Sequence, residues 1–347
     1  MRKYDYQFLK NEIPGNIISL TSIIADLKAK ENYRRMQYSE TFERLRQKAV
    51  VESVQGSNAI EGIVTTDSRI RDIVGGAAPE THAEMEISGY SEALNMIHAS
   101  YSALDIDKET ISVFHRMIEE RTNTLEAGQY KKSNNFILET GADGSRRIRF
   151  RPVSAKDVPE NMEQMLLAFY DARQDSEVEP LLLIPCFILD FLCIHPFTDG
   201  NGRVSRLLTV LLLYMAGYDI VRYISLEGRI NKYKDSYYQA LEASSQGWHD
   251  NKNDYIPFII NFLQLIYRCY KDLDEAFTDI SLKKAKKSER VESILLNAIV
   301  PISKQEILDK LPDISVKTVE LVISKMQKEN RVKKIGTYRN ARYIRIN

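Results

Sequence analysis

From Leu181 to Ile194 the chain runs through fourteen residues of which only Asp190 is charged. A segment apolar on all sides cannot lie on a surface, because part of its circumference would then face water. It is also shorter than the ~18 apolar residues that a membrane span needs. It reads as the central helix of a bundle, with Pro185 either starting or kinking it. The flanking sequence agrees. Strong helix formers recur at three- and four-residue spacing in Ala83–Leu104, Thr110–Glu120, Val158–Ala172, Arg203–Ala216 and Ile256–Tyr270, and Gly217 suits a helix C-cap. The fold class is therefore mostly α. A chain of 347 residues, 44% hydrophobic, can bury a large core and divide into two or three domains.

Two stretches depart from the helical pattern. Phe136 and Leu138, then Ile148 and Phe150, alternate with polar residues around the turn formers Thr140–Ser145, which predicts an inserted β-hairpin. Near residue 283 the basic run Lys283-Lys284-Ala285-Lys286-Lys287 marks a linker, expected over 271–287. After it come a helix over Val291–Val300 and a second opened by the capping box Ser303-Lys304-Gln305-Glu306. A third covers Ser315–Glu329, and strands Arg331–Lys334 and Arg342–Ile346 flank the turn Gly336–Asn340. Three helices and a hairpin make the winged-helix pattern, expected over 288–347.

Composition excludes more than it specifies. Lys+Arg and Asp+Glu are equal at 48 each, so overall charge names no partner. Residues 283–347 differ, with sixteen Lys/Arg against seven Asp/Glu, a net of +9. That excess admits DNA, read by the third helix and a wing bearing Lys333, Arg339, Arg342 and Arg345, although winged helices also contact proteins. The start Met1-Arg2-Lys3-Tyr4-Asp5 lacks an apolar signal region, and no apolar run is long enough for a membrane. Cys186, Cys193 and Cys269 are odd in number and lack metal-ligand spacing. Reduced core thiols in a cytoplasmic protein are the expectation.

The chemistry gathers directly after the apolar helix, in His195-Pro196-Phe197-Thr198-Asp199-Gly200-Asn201-Gly202-Arg203-Val204-Ser205-Arg206. Gly200 and Gly202 let the backbone approach a ligand where one helix ends and the next begins, and a helix start attracts anions. Arg203 and Arg206, three apart, share a face and call for a polyphosphate or a carboxylate between them. An imidazole ordinarily titrates near neutrality, which suits His195 to the part of a general base. Asp199 is a hard oxygen ligand of the kind Mg²⁺ uses beside phosphate oxygens.

This twelve-residue segment resembles the His-Pro-Phe-x-x-Gly-Asn-Gly-Arg-x-x-Arg motif of Fic-domain proteins. The resemblance implies a Fic-type helical bundle over 105–270 with the hairpin as a flap that docks a target segment. It implies AMPylation, the transfer of AMP from ATP to a hydroxyl of a target protein or of the chain itself. By the same resemblance His195 deprotonates the hydroxyl and Asp199 holds Mg²⁺. Gly200, Asn201 and Gly202 then form the anion hole, Arg203 binds the β-phosphate and Arg206 the γ-phosphate. Gly202 is intact where a kinase-like branch of the family carries lysine, which favours nucleotidyl over phosphoryl transfer.

The N-terminal helical region 1–104 holds Ser57-Asn58-Ala59-Ile60-Glu61-Gly62. Ser57 and Glu61 lie on one helix face, Gly62 ends the helix, and a carboxylate at that end seeks a cation. The segment resembles the family's inhibitory (Ser/Thr)-x-x-x-Glu-(Gly/Asn) motif, which implies that Glu61 pairs with Arg206 and restrains the enzyme. In some members the same glutamate supports AMP removal. Tyr237-Tyr238-Gln239-Ala240-Leu241 resembles a segment near the adenosine, and Tyr237 and Tyr238 either line the nucleotide or pack in the core. Gln129, Tyr130 and Lys131 resemble the flap start, with lysine in place of arginine at Lys131. A homodimer is compatible with an autoinhibited helical enzyme. The competing reading is a DNA-binding regulator whose core acts on a partner, or transfer of another nucleotide or phosphate-linked group.

Overall fold

In the computed structural model, which describes residues 2–11, 13–122, 125–140, 146–284, 287–298, 300–336 and 341–346, every residue from Leu181 to Ile194 is buried. The chain divides into a first unit, Met1–Asp272, and a second, Leu273–Asn347.

The first unit is helical: α1 (Gly15–Gln37), α2 (Ser39–Ile60), α3 (Asp67–Val74), α4 (His82–Ser100), α5 (Lys108–Glu119), α6 (Val158–Gln174), α7 (Pro180–Ile194), α8 (Asn201–Met215), α9 (Ile220–Tyr223), α10 (Leu226–Lys232), α11 (Lys234–Ser245) and α12 (Ile256–Lys284), the last running on past the unit boundary. Side-chain caps start several of them. Thr66, Thr81, Asp107 and Ser225 each accept from the backbone N–H three residues on. Pro180 opens α7, so Pro185 lies inside the helix and supplies no N–H there. Gly217, at φ +73°, follows α8 as expected of a left-handed terminal residue.

The predicted hairpin is present as β1 (Ile137–Thr140) and β2 (Arg146–Phe150), paired antiparallel with an irregularity between Ile137 and Leu138. Its turn residues 141–145 lie outside the described residues. Phe136, Leu138 and Ile148 are about half exposed, so the hairpin edges the bundle and is not part of its core.

Two glycines fix how α2 sits. A Cβ on Gly56 would stand 2.8 Å from the backbone nitrogen of Gly228 in α10, so only glycine allows this approach. At the helix end, Gly62 N–H donates to Ala59 O and Ile63 N–H to Asn58 O, with Gly62 at φ +81°. This is a Schellman closure, and it makes Glu61 the C-cap residue.

The linker expected over 271–287 is largely helix, because α12 continues to Lys284. Lysine is a good helix former, and the first two lysines of the basic run extend the helix; residues 285 and 286 lie outside the described residues. The second unit goes on as α13 (Lys287–Asn297), β3 (Ile302–Ser303), α14 (Lys304–Lys310), α15 (Val316–Lys328), β4 (Val332–Ile335) and β5 (Arg342–Arg345). Its sheet has the order β3-β5-β4, all antiparallel. The capping box at Ser303 and Glu306 forms in full. The sequence pattern did not foretell the two-residue β3. Residues 337–340, including Arg339, expected on a wing, lie outside the described residues.

Candidate active site

Helix α7 ends on His195, which takes the left-handed conformation at φ 54°, ψ 62°. That is strained for a side chain with a Cβ, and more so before proline. The strain is held by α7, whose Phe191 carbonyl accepts the His195 N–H at 2.9 Å. The ring's Nδ1 lies 3.1 Å from the Leu192 carbonyl. A carbonyl can only accept, so Nδ1 carries the proton and Nε2 keeps its lone pair. Burial lowers the His195 pKa to about 4, opposed by the Leu192 bond, and the imidazole is neutral at pH 7.

The loop that follows is tied from several sides. Asn201 Oδ1 accepts the Phe197 N–H at 2.9 Å and its Nδ2 donates to the Phe197 carbonyl at 2.8 Å. His115 on α5 stacks on the Phe197 ring, centroids 3.8 Å apart. Its Nδ1 accepts from Gly128 N–H, which makes Nε2 the donor toward the Asp199 carbonyl at 3.2 Å. The flap start is bound here too: Lys131 N–H donates to Pro196 O, and Asn135 Nδ2 donates to Phe197 O. Lys131 Nζ reaches Asn135 Oδ1 at 2.8 Å, and burial lowers its pKa to about 8.

Helix α8 begins at Asn201 behind Gly200, which has φ +74°, and no side chain caps it. Its first amides therefore face outward, as an anion site requires. Gly200 N–H is bonded to its neighbour's carboxylate, Asp199 Oδ1, at 2.7 Å. Around this turn lies a cavity of about 420 Å³ lined in part by Glu61, Arg149, His195, Asp199, Gly202 and Tyr238. A larger cleft of about 620 Å³ lies against residues 2–7 and the exposed side of α6, and none of the motif residues lines it.

The two motif arginines have different fates. Arg206 Nε donates to Ser57 Oγ at 2.8 Å, and its Nη2 donates to Ser57 O at 3.0 Å and to Glu61 Oε1 at 2.8 Å. The expected Glu61–Arg206 pair is thus formed. Gly202 makes room for it, since a Cβ there would stand 2.3 Å from Glu61 Oε1. Arg203 corrects an expectation. It is 1% exposed, with Nη1 on Glu86 and Nη2 on Glu119 at 2.8 Å, and it does not line the cavity. Two carboxylates already hold its charge, so it braces α8 against α4 and α5 instead of facing a β-phosphate. Asn201 is also corrected in part: its side chain is spent on Phe197, leaving only its backbone for a ligand. Of the tyrosine pair, Tyr238 lines the cavity, whereas Tyr237 is buried against Phe258.

Sequence reasoning missed His115, Glu86, Glu119 and Arg149. Nothing local marks the first three, which come from helices distant in sequence; Arg149 stood in view as a charged residue on a predicted strand. Among the described residues no group of three or more His, Cys, Asp or Glu could cage a metal, and no helix is long and apolar enough to cross a membrane.

Residues 105–213 match the model of the Fic/DOC family. The chain is 28% identical over 245 residues to protein adenylyltransferase Fic of Nematostella vectensis, covering 66% of this chain and 49% of that protein. It is 24% identical over 237 residues to protein adenylyltransferase fic-1 of Caenorhabditis elegans, covering 66% and 42%. The chain thus spans less than half the length of the curated relatives it matches. A Fic family protein from Desulfovibrio desulfuricans G20 has a similar structure, with TM-score 0.64 and 18% identity over 97% of this chain and 98% of that one. Caenorhabditis elegans Fic-1, residues 134–508, gives TM-score 0.57 at 23% identity over 74% and 71%. With a left-handed helix stop, an uncapped helix start and a flap bound to the loop between them, residues 105–213 match the Fic/DOC family model, and the chain has a fold similar to that of Fic-family structures.

Proposed function

We propose that this protein transfers AMP from ATP to a hydroxyl side chain of a target protein, and that Glu61 restrains the reaction. One observation carries the reading. The free Nε2 of His195 and the uncapped start of α8 share a cavity with Glu61, which holds Arg206. Relatives named protein adenylyltransferase support it.

The chemistry needs a base, an anion site and neutralised charge. His195 Nε2 takes the proton of the attacking hydroxyl as its oxygen bonds to the α-phosphorus. The bond from that phosphorus to the bridging oxygen breaks, and pyrophosphate leaves. Backbone N–H groups at the α8 start stabilise the charge that develops, preorganised by Asn201 and His115 through their grip on the loop. Transfer of this kind relies on positioning and electrostatics more than on covalent help.

Mg²⁺ fits the donor set in one way. Asp199 is exposed and lines the cavity, and one carboxylate with substrate phosphates suffices for this ion, so no all-protein cage is needed. Asp199 would hold it, and the ion would supply charge neutralisation on the phosphates.

Glu61 acts on two counts. It holds the one motif guanidinium that is not locked between carboxylates, and its Oε1 fills the space over Gly202. An arginine–carboxylate pair of this kind competes directly with a phosphate for the same N–H groups. Glu61→Gly should raise AMP incorporation from radiolabelled ATP by roughly tenfold or more, the factor for about 1.4 kcal/mol of released pairing. His195→Ala should abolish it while ATP binding persists. Intact-mass spectrometry of the Glu61→Gly chain after incubation with Mg²⁺-ATP should show an addition of one AMP on chain or target. Equal labelling by Glu61→Gly and the parent, or turnover by His195→Ala, counts against the reading.

A further inference from the structure

The hairpin carries charge that the proposed transfer does not use. Residues 128–152 hold six Lys/Arg against two Asp/Glu, in a chain that is neutral overall. Four of the six fall within six positions: Arg146, Arg147, Arg149 and Arg151. Alternate residues of a strand project to the same side, so Arg147 and Arg149 share a face of β2, and Arg151 follows two residues on.

These arginines lead into the cavity. Arg149 lines it, with its guanidinium 5.1 Å from the Tyr238 ring centroid. Arg151 lies over Phe136, another lining residue, at 5.1 Å. Arg147 extends the row outward; its side chain is 71% exposed and meets Glu242 at 4.0 Å, the limit of an ion pair. An arginine stacked on a ring keeps its charge and its N–H edge for another partner. Leu138 and Ile148 stand exposed in the same hairpin and offer apolar contact.

We propose that this row selects an acidic target, namely an extended segment with Asp or Glu at alternate positions flanking the modified hydroxyl. The proposal rests on the transfer reading above and concerns which segment is held, not which group is moved. Carboxylates two residues apart on an extended segment lie about 7 Å apart on one side, the spacing of successive arginines on β2. The side chains between them turn the other way. The net positive hairpin favours such a segment from a distance and disfavours a basic one.

Fluorescence anisotropy on the full chain tests the proposal. Three labelled peptides share one threonine-centred sequence and carry Glu, Gln or Lys at the alternate flanking positions. The Glu peptide should bind about tenfold more tightly than the Gln peptide at low salt, and added NaCl should narrow the gap. The triple change R147Q/R149Q/R151Q should erase the discrimination, while R147K/R149K/R151K should keep most of it. Equal binding of Glu and Gln peptides overturns the proposal. So does tighter binding of a single-stranded RNA 12-mer than of the Glu peptide, or an R147Q/R149Q/R151Q chain that keeps the discrimination. Because the readout is binding, a clear preference for the Glu peptide without AMP transfer to it would sink the transfer reading and leave the acidic selectivity standing.

Discussion

Removing the Arg203 guanidinium would leave the Glu86 and Glu119 carboxylates without their shared cation in a site where Arg203 is 1% exposed. Breaking a buried ion pair from one side costs about 3–5 kcal/mol, because the remaining charge stays desolvated. Arg203→Gln should therefore lower unfolding stability by about that amount in urea denaturation; a loss below about 1 kcal/mol would remove the bracing role assigned to it. His115 gives the residue-scale pH dependence. Burial lowers its pKa to about 4, against about 6.5 in an unfolded chain. Between those values the unfolded chain binds a proton that the folded chain refuses, so stability falls as pH drops from 6.5 toward 4 and is flat above. For a group 3% exposed the full change is on the order of 3 kcal/mol, and His195 adds to it in the same direction. His115→Phe keeps the stack on Phe197 and should roughly halve that slope, leaving the share of His195, in denaturation series at pH 7, 5.5 and 4.5. An unchanged slope would mean the titrating group lies elsewhere. The sequence showed Arg203 and Arg206 as equals, three apart on one helix. What separates them is supplied by Glu86 and Glu119, 117 and 84 positions away, and no local pattern carries that information.

At the scale of elements, α2 is the part that links fold to restraint. Its packing on α10 at Gly56 sets its position, and its Schellman end at Gly62 sets the direction of Glu61. Gly62→Ala puts a Cβ at φ +81° and costs about 1 kcal/mol. The strain falls on the C-cap that carries Glu61, so transfer should rise above the parent while the melting temperature drops slightly. Radiolabel incorporation beside a thermal melt checks both. If Glu61→Gly raises transfer and Gly62→Ala leaves it at the parent level, the helix end is not what holds the carboxylate in place. Local signals were the legible ones. The hairpin showed in alternation, α14 in its capping box, and the Glu61–Gly62 stop in one glycine after a helical run. The two-residue β3 has no pattern to read, and α12 ran on to Lys284, into the segment expected as linker, because lysines tolerate helix as well as linker.

At the scale of the whole molecule the second unit has a hydrophobic core of its own. Val291, Leu295, Ile307, Val319, Met326 and Val332 are each no more than 2% exposed, and Ile302 and Tyr343 bring the sheet against them. About sixty residues is near the lower limit for a domain without disulfides or metal, but such domains fold. A fragment of residues 287–347 should melt cooperatively when followed by circular dichroism. The same fragment, with thirteen Lys/Arg against seven Asp/Glu and a net of +6, decides how far the charge of this unit reaches toward DNA. Five of the basic residues face a carboxylate within the unit: Arg290 pairs with Asp313, Lys304 with Glu320, Lys325 and Arg331 with Glu292, and Arg342 with Glu306. Surface pairs add little to stability, yet each carboxylate cancels field that a phosphate backbone would feel. Arg342, expected on the wing, is one of the paired residues. The fragment should therefore hold duplex DNA weakly in filter binding, with affinity falling as only about the second or third power of salt concentration, the slope of two or three phosphate contacts. A slope near six or more, with retention at physiological salt, would show that the acidic partners give way and that the unit is a DNA reader.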